Sequence, residues 1–146
     1  MIDTYRNIHA SLLRFCSDFA GEMTMAGHPM QPVHLDSFIN EDDWPKSDFI
    51  GVGQVTVEMD ETPEVYCVFA LSTNQDPNLM RMSRVMNHLS NRLMPNQSLN
   101  LLDSETGNPI GLLMVAKGTR VDPPITTRVQ PIQPVYVRLL GDQRNF

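Results

Sequence analysis

Apolar residues recur at spacings of three and four near the start of the chain, which is the period of one helix face. These residues are Tyr5, Ile8, Leu12, Phe15, Cys16 and Phe19. Asp3 or Thr4 can cap the first turn, and Gly21 can supply the left-handed residue that often ends a helix. The pattern therefore predicts a helix from about Thr4 to Ala20.

The segment that follows has no regular period. Between Gly21 and Ser47 it contains Gly27, Pro29, Pro32 and Pro45, all of which interrupt regular structure. We expect an irregular and partly acidic connection here, with Trp44 as its anchor in the hydrophobic core.

From Val52 onward the period changes to two, which is typical of strands. The alternation predicts a half-buried strand at Val55–Met59, and residues 60–64 have the composition of a turn. Val65–Leu71 is apolar on both faces, so it suits a central strand that is covered on both sides or lies at an interface. Together the two strands predict a hairpin.

Asp76 and Pro77 predict the start of a second helix, because Asp is a good cap and Pro fits the first helical position. Pro95 ends the pattern. The apolar stripe consists of Leu79, Met82, Met86, Leu89 and Leu93. The neighbouring stripe is basic and consists of Arg81, Arg84, His88 and Arg92. This basic stripe is either a solvated face or a docking surface for an acidic segment of another subunit.

Two further strands are predicted at Ser98–Leu102 and at Ile110–Ala116. From Val121 onward the β-branched runs are interrupted by Pro123, Pro124, Pro131 and Pro134. Since proline cannot donate to a β ladder, we expect edge strands or an extended arm over residues 121–146. A neighbouring subunit could add a strand there, which makes Val135, Val137 and Arg138 candidate contact residues.

The order of elements predicts one α+β domain over residues 1–146, with two helices packed on one mainly antiparallel sheet. A chain of 146 residues can bury such a core without a disulfide or a metal ion. It contains no apolar run long enough to cross a bilayer and begins without a signal-peptide pattern, so we expect synthesis and folding in a cytosol.

The formal net charge is −6, which argues against tight, sequence-independent binding of nucleic acid. The acids are concentrated between Asp36 and Glu64, whereas the chain after Asp103 is mildly basic. Such an asymmetry can steer like subunits head to tail, although a solvated acidic loop explains the acidic stretch equally well.

No motif for catalysis, a cofactor or a metal ion is present in the sequence. Cys16 and Cys67 lie within apolar patterns, the histidines are scattered, and Gly51-Val52-Gly53 precedes a strand rather than a helix. We therefore expect a protein that is not an enzyme and that has no catalytic, cofactor-binding or metal-binding residues. An acid–base enzyme that uses Asp42 or Asp43 is the weaker alternative.

The order of elements resembles that of the tail-terminator or neck proteins of tailed bacteriophages. The resemblance lies in Tyr5–Phe19, in Val55–Met59 with Val65–Leu71, and in the helix that Asp76 and Pro77 begin. It concerns layout and size over most of the chain, and no short motif defines it. The proline-interrupted part after Val121 departs from the simplest version of the layout.

The resemblance implies a virion structural protein that forms a hexameric ring, with contractile tails favoured. Such a ring caps the tail tube, joins it to the connector or collar, contacts the sheath and lets DNA pass without recognising its sequence. The channel-facing candidates are Glu41, Asp42, Asp43, Asp60 and Glu61. The alternative is a type III secretion chaperone, since those proteins are also small and acidic and begin with a helix. Those chaperones usually end in a helix, whereas this sequence predicts strands.

Overall fold

The computed structural model describes residues 4–33, 44–58 and 62–141. Its elements, in chain order, are α1 (Thr4–Met25), β1 (Gln31–Val33), β2 (Phe49–Glu58), β3 (Glu64–Ser72), a 3-10 turn (Pro77–Leu79), α2 (Met80–Arg92), β4 (Ser98–Leu102), β5 (Pro109–Val115), β6 (Arg120–Val121) and β7 (Ile132–Gly141).

The strands form one sheet in the order β1-β2-β3-β7-β5-β4, and β6 pairs with β7. Among the described strand pairs, β1 and β2 run parallel and the others are antiparallel. Apolar side chains of α1 and α2 share one core with the sheet. The predicted α+β fold, with two helices packed on a mainly antiparallel sheet, is therefore confirmed.

Helix α1 continues to Met25, so the predicted end at Gly21 is wrong. Gly27, not Gly21, has the left-handed conformation, with φ of 91°. The N–H of His28 donates to the carbonyl of Met23 at 2.8 Å, the long-range bond of a Schellman end. Met23 is 3% exposed, and its burial accounts for the additional helical turn.

The predicted hairpin is confirmed, since β2 and β3 pair antiparallel from Phe49↔Ser72 to Glu58↔Glu64. Its turn, residues 59–61, lies outside the described residues. The register shifts between Gly53 and Thr56, where Gln54 has a positive φ of 52°. One residue is therefore inserted into β2 as a β-bulge.

Strand β7 lies in the middle of the sheet, so the prediction of an arm or an edge strand is wrong for Ile132–Gly141. It pairs with β3 along Glu64–Ser72 and, on its other side, with β5 and β6. Proline was the misleading signal. Pro134 is paired opposite Ala70 within this central strand.

The sheet accommodates Pro134 by replacing one backbone donor with a side-chain donor. Ile132 exchanges both backbone hydrogen bonds with Ile125, which lies on the β6 side of β7. The backbone N–H groups of a strand point to alternate sides, so the nitrogen of Pro134, two residues later, also lies on the β6 side. On that side the side-chain amide of Gln133 donates to the carbonyl of Asp122. The Asp122 carbonyl receives no hydrogen bond from Pro134, but the Gln133 side chain satisfies it instead.

The start of α2 differs from the predicted Asp-Pro cap. Pro77–Leu79 forms a separate 3-10 turn in which Asn78 and Leu79 have positive φ, and α2 begins at Met80. The Asp76 carboxylate nevertheless accepts the N–H groups of Arg81 at 2.9 Å and of Met82 at 2.8 Å. Asp76 thus caps α2 across the turn.

The buried face of α2 is rotated from the predicted stripe. Met82, Val85, Leu89 and Leu93 are buried, whereas Leu79 and Met86 are only half-buried. Trp44 is buried as predicted, but in a second cluster on the sheet face opposite the helices. There its ring packs edge-on against Phe49, with ring centroids 5.9 Å apart.

Candidate interaction surface

Alternation along the central strands divides their side chains between two faces of the sheet. In β3, the odd-numbered residues Val65, Cys67, Phe69 and Leu71 enter the core beneath the helices. The even-numbered residues point the other way, and the strand register places them beside even-numbered residues of β7. Within the described residues, α1 and α2 therefore cover one face of the sheet and leave the other without a helix.

We call the apolar part of the uncovered side the open face. It consists of Tyr66, Val68, Leu112, Met114, Tyr136 and Leu140. Tyr66 and Leu112 are each 38% exposed, and the other four are half-buried. Exposed apolar residues grouped on one side of a sheet are typical of a protein contact site. Trp44 and Phe49 cover the same side of the sheet only toward its other end.

A shallow pocket of about 350 Å³ lies on the open face. Val68, Tyr66 and Tyr136 line it, together with Gln54 at the bulge and Lys117. Lys117 reaches the pocket because the chain makes an excursion between β5 and β6, where Gly118 has φ of 103°. The bulge and the excursion thus turn a flat sheet surface into a concave one.

A charged cluster borders this pocket. The hydroxyl of Tyr66 donates to Glu64 at 2.7 Å, and Arg138 donates to the other oxygen of Glu64 at 3.0 Å. The bonds from Arg138 and Tyr66 lower the pKa of Glu64, and the same contacts raise the pKa of Arg138 and of Tyr66. Glu64 is thus held as a carboxylate, and its partners stay protonated at neutral pH.

A second cation lies next to this cluster. The Arg120 guanidinium stacks over the Tyr136 ring, 4.3 Å from its centroid, and pairs with Asp122 at 3.0 Å. Stacked arginines and tyrosines are enriched at protein interfaces because they combine a large apolar area with a polar group. The open face therefore combines apolar side chains with charged groups that lie among them.

The structure separates the four members of the predicted basic stripe. Arg81 forms a two-pronged pair with Asp48, with Nε–Oδ2 at 2.6 Å and Nη2–Oδ1 at 2.9 Å. The Asp48 side chain is only 6% exposed, and its hydrogen bond raises the pKa of Arg81. Arg81 is thus engaged inside its own chain, and its place in a subunit contact stays a prediction.

Arg92 is also bound within the chain. It pairs with Glu22 of α1 and lies over the Phe15 ring, 5.5 Å from the centroid. Arg84 and His88 are exposed, and the His88 ring lies 6.3 Å from that of His28. Only Arg84 and His88 of the predicted stripe therefore remain as exposed candidates for contact.

The three candidates on β7 behave differently from one another. Val135 is 2% exposed and Val137 is 3% exposed, and both belong to the core beneath the helices. Their side chains are therefore committed to the chain's own core and are not exposed for contact with a neighbouring subunit. Arg138 points to the other side and lines the pocket, where it stays a candidate.

The five channel-facing candidates, Glu41, Asp42, Asp43, Asp60 and Glu61, all lie outside the described residues. So do His34 and Asp36. Within the described ranges, no three metal-ligating side chains come together, and no helix is long and apolar enough to cross a membrane. Cys16 and Cys67 are buried free thiols, and burial raises the pKa of both, that of Cys67 to about 12.

Comparison with models of protein families, with curated proteins and with solved structures finds no match for this chain. The geometry therefore carries the functional argument alone. Sequence reasoning missed Tyr66, Leu112 and Tyr136 as surface residues. One signal for them was present, because the apolar character of Val65–Leu71 on both faces indicates either a covered strand or an interface.

Proposed function

We propose that this chain is a structural protein that associates with copies of itself into a ring, and that it has no enzymatic activity. The observation that carries the proposal is the open face. A sheet covered by helices on one side leaves its other side either to water or to a partner. Here that side presents Tyr66 and Tyr136 at a pocket and Leu112 elsewhere on the same side of the sheet.

The charges of the chain favour another copy of itself as the partner. Lys117, Arg120 and Arg138 lie at the pocket on the open face, where the two arginines are paired with Asp122 and Glu64, while the acids of the chain are concentrated between Asp36 and Glu64. A contact between these cations on one copy and an acidic segment on the next would be head to tail. Such heterologous contacts close into rings when the rotation between copies permits it.

Within this class, we propose a ring at the head–tail junction of a tailed bacteriophage. The α+β layout that suggested the resemblance is present, with two helices, the hairpin and the closing strands in the expected order. The ring would cap the tail tube, meet the connector, collar and sheath proteins, and belong to the virion. Glu41, Asp42, Asp43, Asp60 and Glu61 would then repel DNA from the channel wall.

Native mass spectrometry and negative-stain electron microscopy over a range of concentrations test this proposal. We expect closed rings, six-fold in projection, with a channel wide enough for duplex DNA. Tyr66→Asp and Leu112→Asp should abolish the rings, because each places an unpaired charge in the contact. Neither change should alter the cooperative unfolding of the monomer.

Met25→Asp is the matched control, since Met25 is 92% exposed and lies at the end of α1, outside the open face. It should leave ring formation unchanged. The proposal fails if the protein stays monomeric at all concentrations, or if the rings survive both changes on the open face.

A further inference from the structure

The outer edges of the sheet differ in their capacity to accept another strand. In β1, the N–H of Gln31 donates to the carbonyl of Asp48 in the β2 direction at 3.1 Å, so the next residue, Pro32, faces outward. Proline has no N–H to offer there. Strand β6 is also outermost, but it spans only Arg120–Val121. Neither edge is suited to extended pairing.

Strand β4 has an edge that can pair. The Gln97 carbonyl accepts the N–H of Val115, and the Asp103 N–H donates to the carbonyl of Asn108. The odd-numbered residues of β4 therefore direct their backbone N–H and C=O groups toward β5. Ser98 and Asn100 therefore direct their N–H and C=O groups outward. Both residues are exposed, and within the described ranges no group bonds to these outward backbone atoms.

Helix α1 closes one end of this edge and leaves the other end accessible. Ser11 accepts the outward N–H of Leu102 at 2.8 Å, and Asn7 accepts that of Ser104 at 2.9 Å. Farther along, Arg14 and Asp18 of α1 line a groove of about 290 Å³ together with Ser98 and Asn100. An added strand would lie in this groove beside α1.

We propose that the β4 edge pairs with the β4 edge of a second copy about a twofold axis near Leu99. Among the described edges, that of β4 is open over more than one residue. If one sheet continues from one copy into another, both copies therefore have to pair through β4. The twofold axis makes the strands antiparallel and sets Ser98 of each copy opposite Asn100 of the other. Each such pair exchanges backbone N–H and C=O groups.

The side chains of α1 are self-complementary about the same axis. Arg14 and Asp18 are exposed on the surface of α1 that lines the groove, and they are paired at 3.0 Å. Because α1 runs alongside β4 in the opposite direction, the twofold axis brings Arg14 of one copy toward Asp18 of the other. Contacts of opposite charge in both directions favour this pairing over a random encounter.

The twofold contact goes beyond the head-to-tail ring and uses a different surface. Asn100→Pro should weaken dimerisation about tenfold or more in sedimentation velocity, since it removes an outward N–H and obstructs the pairing. Asn100→Ala keeps that backbone donor and is the matched control, so its dimerisation should equal that of the natural protein. The unfolding of Asn100→Pro should be unchanged, since the fold does not use this N–H.

A mixing experiment tests the twofold axis independently of proline. Arg14→Asp and Asp18→Arg should each be monomeric alone, because each makes the facing charges alike. Mixed in equal amounts, they should form a heterodimer that native mass spectrometry resolves. The inference is overturned if the natural protein shows no dimer, if Asn100→Pro dimerises normally, or if the mixture stays monomeric. Tyr66→Asp should keep the dimer while losing the rings, so the two proposals can fail separately.

Discussion

The two faces of the central sheet are built from alternate residues of the same strands, yet they differ in how far their side chains are buried. Phe69 and Val137 are buried beneath the helices, where their packing stabilises the fold. Tyr66 and Tyr136 point to the other side, where they remain accessible. The covered face therefore determines stability, and the open face is available for assembly. Substitutions on the two sides should separate these properties.

The largest effect is expected on the covered side, at α2. Val85 is fully buried, so Val85→Asp should cost about 4 kcal/mol or more and leave the chain unfolded, because it places an unpaired charge in the core. Met86→Asp should cost only about 1–2 kcal/mol, since Met86 is half-buried and its replacement can reach water. Circular dichroism and urea denaturation measure both. Equal losses of unfolding free energy in the two variants would contradict the orientation of α2 that buries Val85 and leaves Met86 half-buried.

This pair of residues also shows how far the sequence predicts the fold. The three-and-four spacing predicts α2 correctly, but Met82–Met86–Leu89 and Met82–Val85–Leu89 both fit that spacing. Which stripe is buried depends on how the helix sits on β3, a tertiary property. The wrong prediction of an edge strand at β7 had another cause. Pro134 cannot donate to the carbonyl of Asp122, but the side chain of Gln133 does so in its place. That compensation is invisible in a local pattern.

The candidate surface was harder to predict than the fold. Charge suggested Arg81 and Arg92 as contact residues, but each meets an acid distant in the sequence, Asp48 and Glu22 respectively. Such partners are known only once the chain is folded. Arg138 stays a candidate because its partner, Glu64, lies on the open face with it.

The next prediction compares two aromatic residues of β3. The Phe69 ring is fully buried and lies 5.2 Å from that of Phe15, so Phe69→Ala should cost about 3–5 kcal/mol in urea denaturation. Tyr66→Ala removes a partly exposed ring from the open face and should cost much less than Phe69→Ala. A larger loss from Tyr66→Ala than from Phe69→Ala would reverse the assignment of the faces.

A smaller difference is expected between the two arginine–carboxylate pairs. Asp48→Ala leaves Arg81 without its buried partner and should cost up to about 3 kcal/mol, less than a fully buried pair because the Arg81 side chain is 33% exposed. Glu64→Ala breaks the solvent-accessible pair with Arg138 and should cost clearly less than Asp48→Ala. Added salt should reduce the second effect more than the first. Similar losses at low and high salt for both variants would refute the distinction.

The smallest effect concerns Asp76, which belongs to the covered side because it caps α2. Burial alone would raise its pKa, but hydrogen bonds from the N–H groups of Arg81 and Met82 and from Thr73 outweigh burial and lower the pKa below the ordinary value of 3.8. A folded-state pKa below the unfolded one gives stability that is fully present above the unfolded value and disappears as the pH falls through the folded value. Asp76→Asn should therefore cost about 1 kcal/mol at pH 7 and flatten the loss of stability as the pH falls from above the ordinary value of 3.8 to below it. Denaturation midpoints over that range measure it, with Glu105→Gln as the control for an exposed carboxylate outside both proposed contacts. If the Asp76→Asn variant loses stability as steeply with falling pH as the natural protein does, the charge of Asp76 does not stabilise the start of α2.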